Sequence, residues 1–263
     1  MGKKKRKRRC SEECLWKTVR QMQENQKKTR NRSCVELRKF SLIIDNVVVL
    51  KDVDLSFEAG QLTVIYGPRG AGKSALLRSL LRLNREIYEN VDWSGELLIN
   101  EKPIQAYDKK LLRQMVSYVE PSFVEAMDEL TFADFIKITL SDSEASLEDF
   151  ASELDRLGIL KFLKRELKTP IKQFYTMEKI MLLLFAAIVR KSSVVVLDCI
   201  LDHLDDDTLV PVLKELLNIK QDRIVVLSTR QKLRFLPIAD QFVMMKSGRI
   251  EYRGAAREFV LER

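Results

Sequence analysis

Between Gly67 and Ser74 the chain runs GPRGAGKS, placing glycines, a lysine and a hydroxyl at the spacing G-x-x-x-x-G-K-S. That spacing builds a cradle for the phosphates of a nucleotide. Gly67, Gly70 and Gly72 let the backbone turn its N–H groups inward, and a helix opening beside them adds favourable potential for anions. Lys73 is placed to reach the β- and γ-phosphates, and Ser74 to ligate Mg²⁺. The flanks agree. Leu62–Tyr66 is an apolar run that reads as a buried strand, and Ser74–Leu83 has a helical pattern. A glycine-rich turn with a chance lysine would not need both flanks.

The elements that must hold this cradle follow from composition. A chain of 263 residues with 46% apolar content can bury a full core as one domain plus a subdomain. Its net charge of +8 is unevenly spread: residues 1–34 hold 13 basic and 3 acidic side chains, and the remainder 33 and 35. The folded part is therefore close to neutral. Residues 1–33 are expected to be a basic, disordered tail, too poor in apolar groups to fold alone. Such a tail suits an anionic surface, either membrane headgroups or nucleic acid, or serves simply as a solubilising extension.

Cys10, Cys14, Cys34 and Cys199 are expected to be reduced thiols in a cytosolic protein, since the N-terminus has charge but no apolar signal core. Cys10 and Cys14 beside the basic run give only a weak acylation signal, and Arg6 stands where a myristoylation motif needs Ser or Thr. No apolar run approaches the length of a membrane span, and the stretch Met181–Val189 is about half of it.

From Val35 to Gln61 the chain alternates and is rich in Val, Leu and Ile, which predicts antiparallel strands. SGELLINEKPI and MVSYVEP read as further strands. Residues from Glu125 to about Thr169 have a helical pattern, and a helix is expected over Thr176–Val189. SSVVVLDC and DRIVVLST read as buried strands, and QFVMMKSGRIEYRG as a hairpin turning at Ser247–Gly248. Strands alternating with helices imply a mainly parallel sheet covered on both faces.

In this order and spacing, residues 34–263 resemble an ATP-binding-cassette (ABC) transporter ATPase domain. The likeness rests on VLKDVDLSFEAGQLTVIYGPRGAGKSALLRSLL, on SYVEPSFVEAMDELTFADFI as the Q-loop region, on VVVLDCILDHLD as Walker B plus D-loop, on VVLSTRQ and on the closing hairpin. It implies an α/β P-loop NTPase fold with a mainly parallel sheet, an antiparallel β subdomain and a helical subdomain over about 121–175. It also implies ATP and Mg²⁺ as ligands, with Gly67, Gly70, Gly72, Lys73, Ser74 and Asp198 binding them and with Ser74 and Asp198 on the metal. The implied partners are a membrane permease subunit and a second ATPase domain, in a homo- or heterodimer. The implied place is the cytoplasmic side of a membrane, as a peripheral subunit, with the tail as a further contact to anionic lipid.

The departures fall on catalytic positions. Cys199 stands where the family has the glutamate that activates water. Arg230 replaces the switch histidine, and Glu120 the Q-loop glutamine. The signature LSGGQ is FYTME, Phe174–Glu178, which puts bulk where backbone N–H groups should approach a partner's phosphate. Ile44 occupies the position of an adenine-stacking aromatic. His203 falls in the D-loop and is expected to be exposed, and Asp205 matches the D-loop aspartate. Together these changes lead to an expectation of ATP binding with weak or absent hydrolysis. The alternatives are a pseudo-ATPase scaffold or regulator on a membrane complex, and a nucleic-acid-associated ABC protein. The last is less favoured, because Trp16 is the only aromatic in the tail.

Overall fold

The computed structural model describes residues 34–140, 146–160 and 168–261. The basic tail, Cys10, Cys14 and parts of the expected helical subdomain lie outside the described residues.

Two sheets carry the fold. The first has order β2-β1-β4-β5 and is antiparallel throughout, from β1 (Cys34–Ile44), β2 (Val47–Glu58), β4 (Val91–Ile99) and β5 (Lys102–Pro103). Its first hairpin turns at Asp45–Asn46, both at positive φ, as a tight turn with the twist of its strands requires. The second sheet has order β10-β9-β3-β8-β7-β6, from β3 (Leu62–Tyr66), β6 (Val116–Val119), β7 (Val194–Asp198), β8 (Ile224–Thr229), β9 (Gln241–Lys246) and β10 (Arg249–Ala255). Its strands are parallel except at the β9–β10 hairpin edge. The α/β class and the mainly parallel sheet are as the sequence predicts.

Strand alternation divides the core. Ile65, Val196, Val226 and Val243 face the antiparallel sheet and helix α1 (Lys73–Ser79). Val64, Val195, Leu197, Val225, Leu227 and Phe242 face the opposite layer. That layer is dominated by helix α5 (Thr176–Val189), which is apolar nearly all round and correspondingly buried. Between β6 and α5, the described helices are α2 (Pro121–Ala126), α3 (Phe132–Leu140) and α4 (Ala151–Arg156), joined by short 3₁₀ turns. Helix α6 (Asp206–Ile219) covers the same face as α5.

Helix α1 is shorter than the Ser74–Leu83 that the pattern suggests. Arg82 is left-handed at φ 60, and Asn84 Nδ2 donates to the Ala75 carbonyl and to Ser79 Oγ. These contacts end the helix at Ser79 and replace its next turn with a tighter one.

Candidate nucleotide site

Because β3, β7 and β8 run parallel, their carboxyl ends share one edge of the sheet, the usual place for a ligand in such folds. Out of β3 comes the loop Gly67–Gly72; out of β7, Asp198 and Cys199; out of β8, Thr229 and Arg230. Register places Asp198 opposite Ser228, and Tyr66 opposite Thr229.

The loop is locked from outside. Gly67 N–H donates to the Thr229 carbonyl, and a Cβ at Gly67 would lie 2.4 Å from the Met245 carbonyl oxygen. Gly248, at the turn of the β9–β10 hairpin, donates to the Ala71 carbonyl and accepts from Lys51 N–H. One hairpin turn thus ties the loop to β2. Inside the loop, Lys73 Nζ donates to the carbonyls of Gly67 (2.6 Å) and Pro68 (3.0 Å). Burial pulls its ammonium below the ordinary lysine range, with the negative charges of Asp198 and Asp202 opposing.

The facing wall is a closed hydrogen-bond network. Asp198 is buried; its Oδ1 accepts from Ser228 Oγ and its Oδ2 from Tyr118 Oη at 2.8 Å. Tyr118 Oη lies equally close, 2.8 Å, to Glu120 Oε2. Glu120 also accepts from Arg78 Nη2 (2.6 Å) and Nε (3.1 Å), and from Ser122 Oγ (2.6 Å). Burial alone would raise its carboxyl pKa, but the bonds from Ser122, Arg78 and Tyr118 more than reverse this and hold it low. The Tyr118 phenol is pushed up by burial and by the Asp198 charge.

Cys199 is left-handed at φ 54, its N–H donates to Ser228 Oγ (3.0 Å), and its Sγ lies 3.2 Å from the same oxygen. Burial pushes the thiol up, only partly offset by Ser228, so it is a neutral group at ordinary pH. Asp202 accepts from Thr229 Oγ1 and from Arg230 N–H, and the Arg230 guanidinium lies 3.6 Å away.

These walls enclose a cleft of about 530 Å³. It brings together Gly70, Gly72, Lys73, Ser74, Glu120, Asp198, Cys199 and Arg230. Gly67 contributes from behind, through its carbonyl. Among the described lining residues the cations are Arg69, Lys73, Arg78 and Arg230, and the only aromatic ring is His203. The donors suit Mg²⁺: Ser74 offers a hydroxyl, and each Asp198 oxygen accepts one hydrogen bond and keeps a free lone pair for a hard cation.

A family model described as ABC transporter matches residues 50–199, from the second strand to the end of Walker B. The chain belongs to the ABC transporter family. A Brucella abortus protein, provisionally named as ATP-binding, is 29% identical over 224 residues, 84% of this chain and 61% of that one. The glutathione/L-cysteine transport system ATP-binding/permease protein CydC of Haemophilus influenzae is 27% identical over 226 residues, 82% of this chain and 37% of its own length. This chain thus spans less than two thirds of such relatives. In fold it is similar to a solved ATP-binding subunit of an ABC transporter, with TM-score 0.70, 20% identity, and coverage of 86% and 93% of the two chains.

The family's other landmarks fall elsewhere. FYTME lies outside the cleft, at the start of α5: Phe174 is buried, Tyr175 is 76% exposed, and Glu178 closes a capping box on Tyr175 N–H. Ile44 is buried in the antiparallel layer and does not line the cleft; Val49 does. His203 is exposed at the cleft mouth, and Asp205 caps α6 by accepting from Thr208 N–H.

Motif spacing does not point to Ser228 or Asp202, whereas Arg78 and Tyr118 carry a local signal. Arg78 is four residues beyond Ser74 on a helix, so both face one way. Tyr118 is two residues before Glu120 on an extended segment, and so shares its side.

Proposed function

We propose that this chain is the ATP-binding part of an ABC transporter and that it binds ATP with Mg²⁺ but hydrolyses it weakly or not at all. The observation that carries this reading is the contrast inside one cleft. The phosphate loop is complete, while the residue after Asp198 is a half-buried thiol and both lining carboxylates are already hydrogen-bonded.

Binding needs backbone donors, Lys73 and two oxygen ligands, and all are present. Ser74 and Asp198 would hold Mg²⁺, which when bound neutralises phosphate charge. Hydrolysis also needs a base within reach of water. Cys199 has a raised pKa and a shorter side chain than glutamate, so it is a poor base. Arg230 can pair with phosphate but cannot take a proton.

The partners proposed are a membrane permease and a second ATPase domain. CydC, a relative that joins ATP-binding and permease parts by name, supports the first. Among the described residues no helix is long and apolar enough to cross a membrane, which fits a peripheral subunit on the cytoplasmic face. We assign residues 34–263 to the nucleotide-binding unit, about 121–175 within it to the helical subdomain, and 1–33 to a tail that grips anionic lipid.

Calorimetry with ATP and Mg²⁺ tests binding. Saturable heat that Lys73→Ala strongly weakens is expected; no heat at millimolar ATP would leave the cradle without a ligand. Steady-state phosphate release tests the rest, and turnover of ~1–10 s⁻¹, as in an ordinary enzyme, would overturn it.

A further inference from the structure

The most unusual group in the cleft is the carboxylate of Glu120. It is buried, it lines the same cavity as Ser74 and Asp198, and four donor contacts reach it, the one from Tyr118 shared with Asp198. Three of them converge on Oε2. A carboxylate has roughly four lone-pair sites, so Oε2 is saturated. Oε2 is thereby withdrawn from ligation, and the Arg78 pair fixes the placement of Oε1, which accepts from Ser122 Oγ.

We propose that Arg78 sets the metal dependence of nucleotide binding by holding Glu120 in an internal ion pair. The inference rests on the nucleotide-binding reading above. With the pair closed, the two charges largely cancel, Oε2 is occupied, and the ion pair holds Glu120 back from phosphate and metal. The phosphates then meet Arg69, Lys73 and Arg230, so binding tolerates the loss of metal. With the pair open, Glu120 becomes a ligand and Arg78, in the same wall, becomes a phosphate contact. Tyr118 links this latch to the metal site. Its hydroxyl oxygen lies 2.8 Å from both Glu120 Oε2 and Asp198 Oδ2 and has one proton to share, so displacement of Glu120 turns that hydrogen bond toward Asp198. Arg78 is a positioning residue in this scheme, acting through Glu120.

The test measures ATP affinity of the full chain in excess Mg²⁺ and in chelator, for wild type, Arg78→Ala, Glu120→Gln and the double variant. In Arg78→Ala an unpaired carboxylate faces the phosphates, and the ratio of Mg²⁺ to chelator affinity should rise about tenfold or more. The double variant should return to within about threefold of wild type, because the carboxylate is gone. Glu120→Gln alone should tighten metal-free binding several-fold, by releasing Arg78, and it is near-isosteric should Arg78→Ala fail to fold. A second readout omits nucleotide: Mn²⁺ binding followed by water-proton relaxation should strengthen in Arg78→Ala and not in the double variant. An unchanged affinity ratio in Arg78→Ala, or unchanged metal-free binding in Glu120→Gln, would overturn the proposal. If the chain binds no ATP at all, the nucleotide reading fails by itself. The Mn²⁺ measurement then decides the role of Arg78: a gain in Arg78→Ala supports it, and no gain overturns it.

Discussion

The two walls of the cleft are built on different principles. The loop Gly67–Ser74 offers backbone groups and one lysine, and its shape is held from behind by Met245, Thr229 and Gly248. The facing wall offers side chains, and these are bonded to one another: Arg78 to Glu120, Glu120 and Asp198 to Tyr118, Asp198 and Cys199 to Ser228. A backbone cradle works as long as the chain keeps its path. A catalytic wall works only when particular side chains face the ligand with free valence. On the proposed reading, binding and turnover separate in this chain between the ends of β3 and β7.

The largest expected effect would erase the difference between the walls. Cys199→Glu alone should change phosphate release little, since Arg230 and the exposed Tyr175 segment remain and such groups act as a unit. Combined with Arg230→His and an LSGGQ segment at 174–178, it should raise turnover by roughly 10²–10⁴, the usual worth of a positioned base. Equal rates for the single and combined variants, against a Lys73→Ala blank, would sink the comparison.

Lys73→Ala attacks the loop instead. Loss of a charge-assisted contact of about 1.5–3 kcal/mol should weaken ATP binding by roughly 10- to 100-fold in calorimetry. The thermal transition without nucleotide should move much less, because Lys73 bonds only to its own loop.

Two glycines sharpen the point about shape. Gly67→Ala forces a Cβ to 2.4 Å from the Met245 carbonyl and should cost about 2 kcal/mol or more in urea unfolding. Gly70→Ala meets nothing within 4 Å and pays only for its φ of +79, about 1 kcal/mol. A reversed order would mean that the hairpin does not brace the loop.

The smallest effect concerns pH. Glu120 is held below its ordinary value, so its stabilisation is fully present above about pH 4.5 and is lost as pH falls through the depressed value. Glu120→Gln lacks this dependence. The gap between wild-type and variant urea midpoints should therefore narrow on acidification from pH 7 to below 4; a constant gap would remove Glu120 from the network.

By itself, the sequence determined the phosphate loop, the strand before it, helix α5, the closing hairpin and the α/β class. Each is a local signal, carried by spacing or by an apolar run of characteristic length. It also located the substituted positions, Cys199, Glu120 and Arg230, because these sit at fixed offsets from strand ends. What surrounds each substituted side chain is visible only in the folded chain. Glu120 reads as a possible metal ligand or a repulsive charge until Arg78, 42 residues away, is seen to neutralise it. Cys199 reads as a free thiol until Ser228 is found beside it. Ile44 stands at an adenine-stacking position in the alignment of motifs, yet it points into a core. The physical reason is common to all three. The charge state and free valence of a side chain depend on neighbours brought in by sheet register and helix packing, and no local spacing along the chain encodes those.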